Sequence, residues 1–197
     1  MTIFNDVMVD IETTGNSNYE RYGIIQISAV KFDYESEQVS EDFFDRCLRL
    51  HPGREWDVDT RQWWARQGNV LQSIEARAED PHLVIHDFYQ WLLKDWPKGR
   101  SGQEGLQFWS KPTSFDHPFL VSYFKMFGYD MPCLFRYCRD LNSFMAGLRG
   151  DPAHPDFEGQ EPEFQGDAHN ALHDTLHQIR LLFAMKNKTL QGTVVAA

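Results

Sequence analysis

Basic residues are scarce in this chain: 19 Lys and Arg stand against 29 Asp and Glu, for a formal net charge of −10. A protein that grips nucleic acid by bulk electrostatics carries the opposite sign. The composition therefore argues against tight, sequence-independent binding of long duplex. An acidic chain can still hold a phosphodiester through divalent cations, which neutralise carboxylates and phosphate alike. Cysteine is also scarce. Cys47, Cys133 and Cys138 form no Cys-x-x-Cys pair, and an odd count fits a reducing compartment better than a disulfide framework. They are expected to serve as small buried hydrophobes. No stretch nears the ~20 apolar residues of a membrane span. Met1-Thr2-Ile3-Phe4-Asn5-Asp6 has neither the basic segment nor the long apolar run of a secretory signal. The expected location is the cytoplasm, and no internal repeat is visible.

What is present suits one globular domain: 197 residues, 42% hydrophobic and 24% charged. Aromatic residues make up 14%, including six Trp and fifteen Phe. They fill a core first, and they also supply rings on which bases stack.

Three strands are expected at 7–11, 24–32 and 43–50, in an antiparallel meander. The first ends at Thr13-Thr14-Gly15 and the third at His51-Pro52-Gly53. Helical spacing follows at 58–66, 71–78 and 83–96. A short strand is expected at 106–109, then helices at 118–127, 142–148 and 171–185. Pro118 near the start and Gly128 past the end of 118–127 fit the usual helix asymmetry. Residues 149–168 hold a long acidic loop rich in Pro and Gly, a type that tends to be functional or mobile. The expected domain is 1–187, with 188–197 as a flexible tail. Strands, helices, a strand and helices again give an α/β single-domain order.

Acidic residues fall at three separated places. In Val9-Asp10-Ile11-Glu12-Thr13-Thr14-Gly15, alternation along a strand puts Asp10 and Glu12 on one face and Val7, Val9 and Ile11 on the other. Paired carboxylates repel each other unless a hard cation takes them as ligands, although two surface acids at a strand end are the plainer alternative. Asp116 in Ser114-Phe115-Asp116-His117-Pro118 stands near a helix start, where Asp also serves as an ordinary N-cap. In His169-Asn170-Ala171-Leu172-His173-Asp174, His169 and Asp174 do not share one face of a straight helix. They meet if His169 lies on the loop before the helix. A His there has an unperturbed pKa near ~6.5, suited to general-base work. The alternative at this helix is a zinc site built on two of His169, His173 and His177, which recur every four residues. Trp63 and Trp64 are adjacent, about 100° apart on a helix, so one can be core while the other faces a cleft as a stacking platform.

Asp10-x-Glu12, then Asp116, then His169-x-x-x-x-Asp174 resembles the three-motif signature of the proofreading-type, DEDDh 3′–5′ exonucleases, across nearly the whole chain. A narrower resemblance joins Met8-Val9-Asp10-Ile11-Glu12-Thr13, Gln26-Ile27-Ser28-Ala29-Val30, Trp63-Trp64 and the His169 motif. It points to a subgroup of small phage and bacterial exonucleases that includes phage single-strand exonucleases and a mycobacterial exoribonuclease. The resemblance implies a ribonuclease-H-like fold, a mixed β-sheet flanked by helices. It implies two Mg²⁺ ions, with Mn²⁺ able to substitute, and release of nucleoside 5′-monophosphates from 3′ ends of single-stranded DNA or RNA. Asp10 would bridge both ions, Glu12 and Asp174 would hold the one that activates water, and Asp116 would help place the second. His169 would take the proton from that water. Thr13, Thr14, Trp63 and Trp64 are the expected substrate contacts. The rivals are a ribonuclease-H-like endonuclease, against which the His169 spacing argues, and a binding module without catalysis, which would lack one of the acids. DNA or RNA preference is left open, as is assembly into a homodimer.

Overall fold

The computed structural model describes residues 4–95, 105–133, 135–152 and 161–195, with the side chains of 188–195 left aside. Asp6–Thr13 (β1), Ile24–Asp33 (β2) and Gln38–Leu48 (β3) form the expected antiparallel meander. Val58–Trp64 (α1) and Val70–Ala76 (α2) follow. Next come Ala78–Glu79 (β4), Pro81–Leu93 (α3), Gln107–Ser110 (β5) and Thr113–Met126 (α4). A 3-10 turn at Phe135–Tyr137 leads into Cys138–Asp140 (β6). Leu141–Arg149 (α5) and Ala171–Val195 (α6) complete the chain.

The six strands lie in one mixed sheet in the order β4-β3-β2-β1-β5-β6, with β1 antiparallel to β2 and parallel to β5. As a central strand, β1 packs on both faces. Val7, Val9 and Ile11 enter one core with Val84, Phe88, Phe119 and Phe124 from α3 and α4. Met8 enters the other with Leu141 and Met145 from α5 and Ile179 and Leu182 from α6. Alternation along β1 then puts Asp10 and Glu12 on the Met8 side, beneath α6. The fold is the single mixed sheet between helices that the resemblance implied.

Several expectations need correction. The third strand begins at Gln38 rather than 43, because its first half lies exposed at the sheet's side and shows no apolar period. The edge strands β4 and β6 are too short to show a period. Helix α4 begins at Thr113, so Asp116 lies inside its first turn and Pro112 occupies the N-cap without a side-chain bond. Asp116 is thus no N-cap, which frees its carboxylate for other use. The backbone of 188–195, expected as a flexible tail, continues α6. Within the acidic loop, 153–160 lie outside the described residues. No helix among the described residues is long and apolar enough to cross a membrane.

Candidate active site

Three elements converge at the C-terminal end of β1. Asp174, in the first turn of α6, reaches over Asp10 and Glu12, and one carboxylate oxygen from each of the three lies within 4.8 Å of the others. Asp116 arrives from α4, on the opposite layer. β5 pairs with β1 only as far as Met8. Beyond it the Asp116 carboxylate takes the strand's place, accepting the Ile11 N–H at 3.1 Å. Its other oxygen is buried without a hydrogen-bond partner, and the residue is 2% exposed.

These acids resist ionisation. Burial raises Asp10 well above its ordinary value, and the charges of Asp116 and Asp174 add to it. Burial, then Asp10, Asp174 and Asp116, do the same to Glu12. Burial pushes Asp116 up to about 8, against the stabilising Ile11 N–H. Asp174 is also raised by burial, while His169 opposes the shift. A pocket of crowded, all-oxygen donors is what a hard divalent cation binds, and its charge removes the repulsion. The residues present fit such a centre.

His169 stands just before α6 with φ of 64°, a left-handed conformation uncommon for a residue with a side chain. The turn aims its N–H at the Asp174 carboxylate and lays its ring edge-on to Trp63, with centroids 4.6 Å apart. Asn170 caps the helix, its side-chain oxygen accepting the Leu172 N–H at 3.1 Å. Gln26, cross-strand from Glu12, accepts the Ala171 N–H at 3.2 Å and donates to Asp45 at 2.7 Å. Arg77 holds Asp45 at 3.0 Å. The sheet therefore anchors the segment that carries His169.

Beside Glu12 opens a cleft of about 690 Å³, lined in part by Thr13, Asn16, Trp63, Arg66 and Phe115. Trp63 is half-buried and faces it. Trp64 is 1% exposed, donates its indole N–H to the Thr13 carbonyl at 3.0 Å and packs with Ile25, Cys47 and Ile74. One Trp is core and its neighbour meets the cleft. Thr13 borders the cleft, but its hydroxyl already donates to the Gly15 carbonyl at 2.8 Å. Thr14 is fully buried. Its N–H donates to Gly23, its hydroxyl donates to the Glu55 carbonyl and accepts the Gly23 N–H, and its carbonyl accepts the Asp57 N–H. It ties three segments behind the cleft, with no donor left for a direct contact. Gly15 leaves room for the Tyr22 ring, which a Cβ would meet at 2.4 Å.

The histidine stripe does not form a metal site. His173 accepts the Asp167 N–H through Nδ1 at 2.8 Å, and His177 packs on Phe164. The only group with metal-ligand geometry among the described residues is Asp10, Glu12 and Asp174. Sequence reasoning passed over Phe115, Arg66, Gln26 as a latch, and Gln178. Gln178 follows Asp174 by four residues and so shares its helix face, a signal that could have found it.

Comparison with curated proteins gives no match. Among solved structures, the nuclease domain of 3′hExo, a DEDDh family member, bound to rAMP, superposes with TM-score 0.70 at 15% identity, covering 94% of this chain and 93% of that one. S. pombe Pop2p in its Mg²⁺- and Mn²⁺-bound form gives 0.68 at 12% identity, with 96% and 85% covered. E. coli exonuclease I with a dA16 oligonucleotide gives 0.62 at 17% identity, with 96% of this chain but 42% of that one covered. At such identities these show the fold. The family model of the Rv2179c-like 3′–5′ exoribonuclease domain matches residues 5–185, so the chain belongs to that family and is a 3′–5′ exonuclease.

Proposed function

We propose that the protein removes nucleoside 5′-monophosphates one at a time from the 3′ end of single-stranded DNA or RNA, using two Mg²⁺ ions, with Mn²⁺ as a substitute. The observation that carries this reading is the convergence of Asp10, Glu12 and Asp174 within 4.8 Å at the mouth of a cleft. The relatives of the same fold were solved with rAMP, with Mg²⁺ and Mn²⁺, and with dA16, which supports nucleic acid and divalent metal as the site's occupants.

Asp10, Glu12, Asp116 and Asp174 would hold the ions. When bound, such ions neutralise the phosphate and lower the pKa of water. The chain's own residues do the rest. His169 accepts the proton of the attacking water, with its backbone beside the Asp174 carboxylate on the rim. Trp63 offers a ring to the terminal base and borders Thr13, while Thr14 and Trp64 hold that wall from behind. With a net charge of −10 and an acidic rim, grip rests on a few terminal nucleotides rather than a long backbone track.

The test is digestion of single-stranded DNA and RNA of equal sequence, labelled at the 5′ end, with Mg²⁺, Mn²⁺ or EDTA. Stepwise shortening is expected with metal and none in EDTA, and a blocked 3′ end should protect. Single strands should be cut in preference to blunt duplex. Equal cutting of a closed circular single strand, or full activity in EDTA, contradicts the reading.

A further inference from the structure

Gln178 lies one turn beyond Asp174 on α6 and is 6% exposed. Its Nε2 donates to Asp10 Oδ1 at 2.8 Å. Its Oε1 is buried without a hydrogen-bond partner. A buried amide with an unmet acceptor is a cost to the fold, which its one hydrogen bond to Asp10 offsets. The one group that gains from the amide is Asp10. Toward the ionised carboxylate that binds a cation Gln178 presents its N–H, since an amide oxygen there would repel it. A carboxylate oxygen that accepts one hydrogen bond keeps a lone pair for a cation.

The environment of Asp10 makes that bond matter. Asp116 and Asp174 both press on it with like charge. A carboxylate among like charges turns away unless something holds it. Asp10 stands on β1, a strand packed on both faces, so its backbone is fixed and its side-chain rotamer is the remaining freedom. Gln178 comes from the same helix face as Asp174, so one rigid element presents both a ligand and the group that orients its neighbour.

We propose that Gln178 is a positioning residue for the metal centre, fixing the rotamer and carboxylate plane of Asp10 and thereby setting divalent-cation affinity. The inference rests on the metal-dependent reading above. Hydrogen-bond partners of ligating carboxylates typically govern metal affinity by about 10–100-fold.

The test uses the full chain without nucleic acid. Mn²⁺ binding is measured by calorimetry for wild type, Gln178→Met and Gln178→Leu, beside melting temperature in EDTA. Both variants should lose about 10–100-fold in Mn²⁺ affinity, while their melting temperature in EDTA shifts little, since the unmet acceptor goes as Asp10 loses its donor. Turnover should recover as Mn²⁺ is raised. Unchanged Mn²⁺ affinity in both variants overturns the proposal. So does lost binding that appears only in the variant with the lower EDTA melting temperature, because that marks Gln178 as packing alone. Should wild type itself take up no Mn²⁺, the metal reading fails with it; should wild type bind and the variants bind equally, only the role of Gln178 falls.

Discussion

A general base must be near its water yet not bound to anything stronger, and the role proposed for His169 asks this of its backbone turn. Its left-handed turn brings the backbone beside Asp174 and leaves the imidazole against Trp63. Such a residue typically contributes about 10²–10⁴-fold. His169→Ala should therefore lower kcat by about that factor while Mn²⁺ affinity holds, and the loss should shrink at high pH, where hydroxide replaces the base. His169→Asn, which tolerates the left-handed turn, should be equally slow, separating lost base from lost backbone geometry. His173→Ala and His177→Ala should cost far less, since those rings meet Asp167 and Phe164. A His173→Ala enzyme as slow as His169→Ala would show that the base is misassigned. The clustering of Asp10, Glu12 and Asp174 was legible because paired carboxylates at a strand end and an acid at a helix start suit one cation. Gln26 was visible as part of a motif, but its latch on Ala171 depends on β2 facing the start of α6, a contact 145 residues apart in the chain.

Helix α1 shows how one element serves two layers. Trp64 fills the core beneath Thr13, and Trp63, next along the helix, turns to the cleft and His169. Trp64→Ala should destabilise the protein by about 3–5 kcal/mol, the usual cost of emptying a buried aromatic site. Trp63→Ala should leave the melting temperature close to wild type but raise KM on single strands, since a stacked base is typically worth about 1–3 kcal/mol. Thermal melts and steady-state kinetics on both variants decide it, and equal melting losses would mean that both rings are core. The split could be expected from adjacent helical positions but not its direction. The same limit applied to α4. Proline rules place Pro118 near a helix start, yet it sits inside the helix, where its missing N–H forgoes the bond to the Ser114 carbonyl. Packing of Phe119, Leu120 and Phe124 into the core outweighs that loss, and burial of this kind leaves little local trace in sequence.

At the scale of the whole molecule, the site makes the fold's stability depend on pH in a direction opposite to most acids. A carboxylate that is paired in the folded state has a depressed pKa and stabilises as pH rises. Here Asp10, Glu12 and Asp116 are raised, Asp116 to about 8. The folded protein holds protons that the unfolded chain has already released, so folding stability is full below the ordinary carboxylate range and falls as pH climbs toward 8. His117 and His177 act the other way, because burial lowers both. Their contribution is lost only as pH drops below their ordinary value of 6.5 and is constant above it. Between pH 6.5 and about 8 the acids therefore act alone among these groups. The melting temperature in EDTA should decline across that interval. Saturating Mg²⁺ or Mn²⁺ should raise the curve and make the gain largest at the alkaline end, since cations bind the ionised form that the metal-free fold resists. Asp116→Asn keeps an oxygen for the Ile11 N–H and removes the charge, so it should flatten the decline in EDTA. A metal-free melting temperature that rises with pH over this interval would mean that the four carboxylates are solvated apart rather than crowded into one centre.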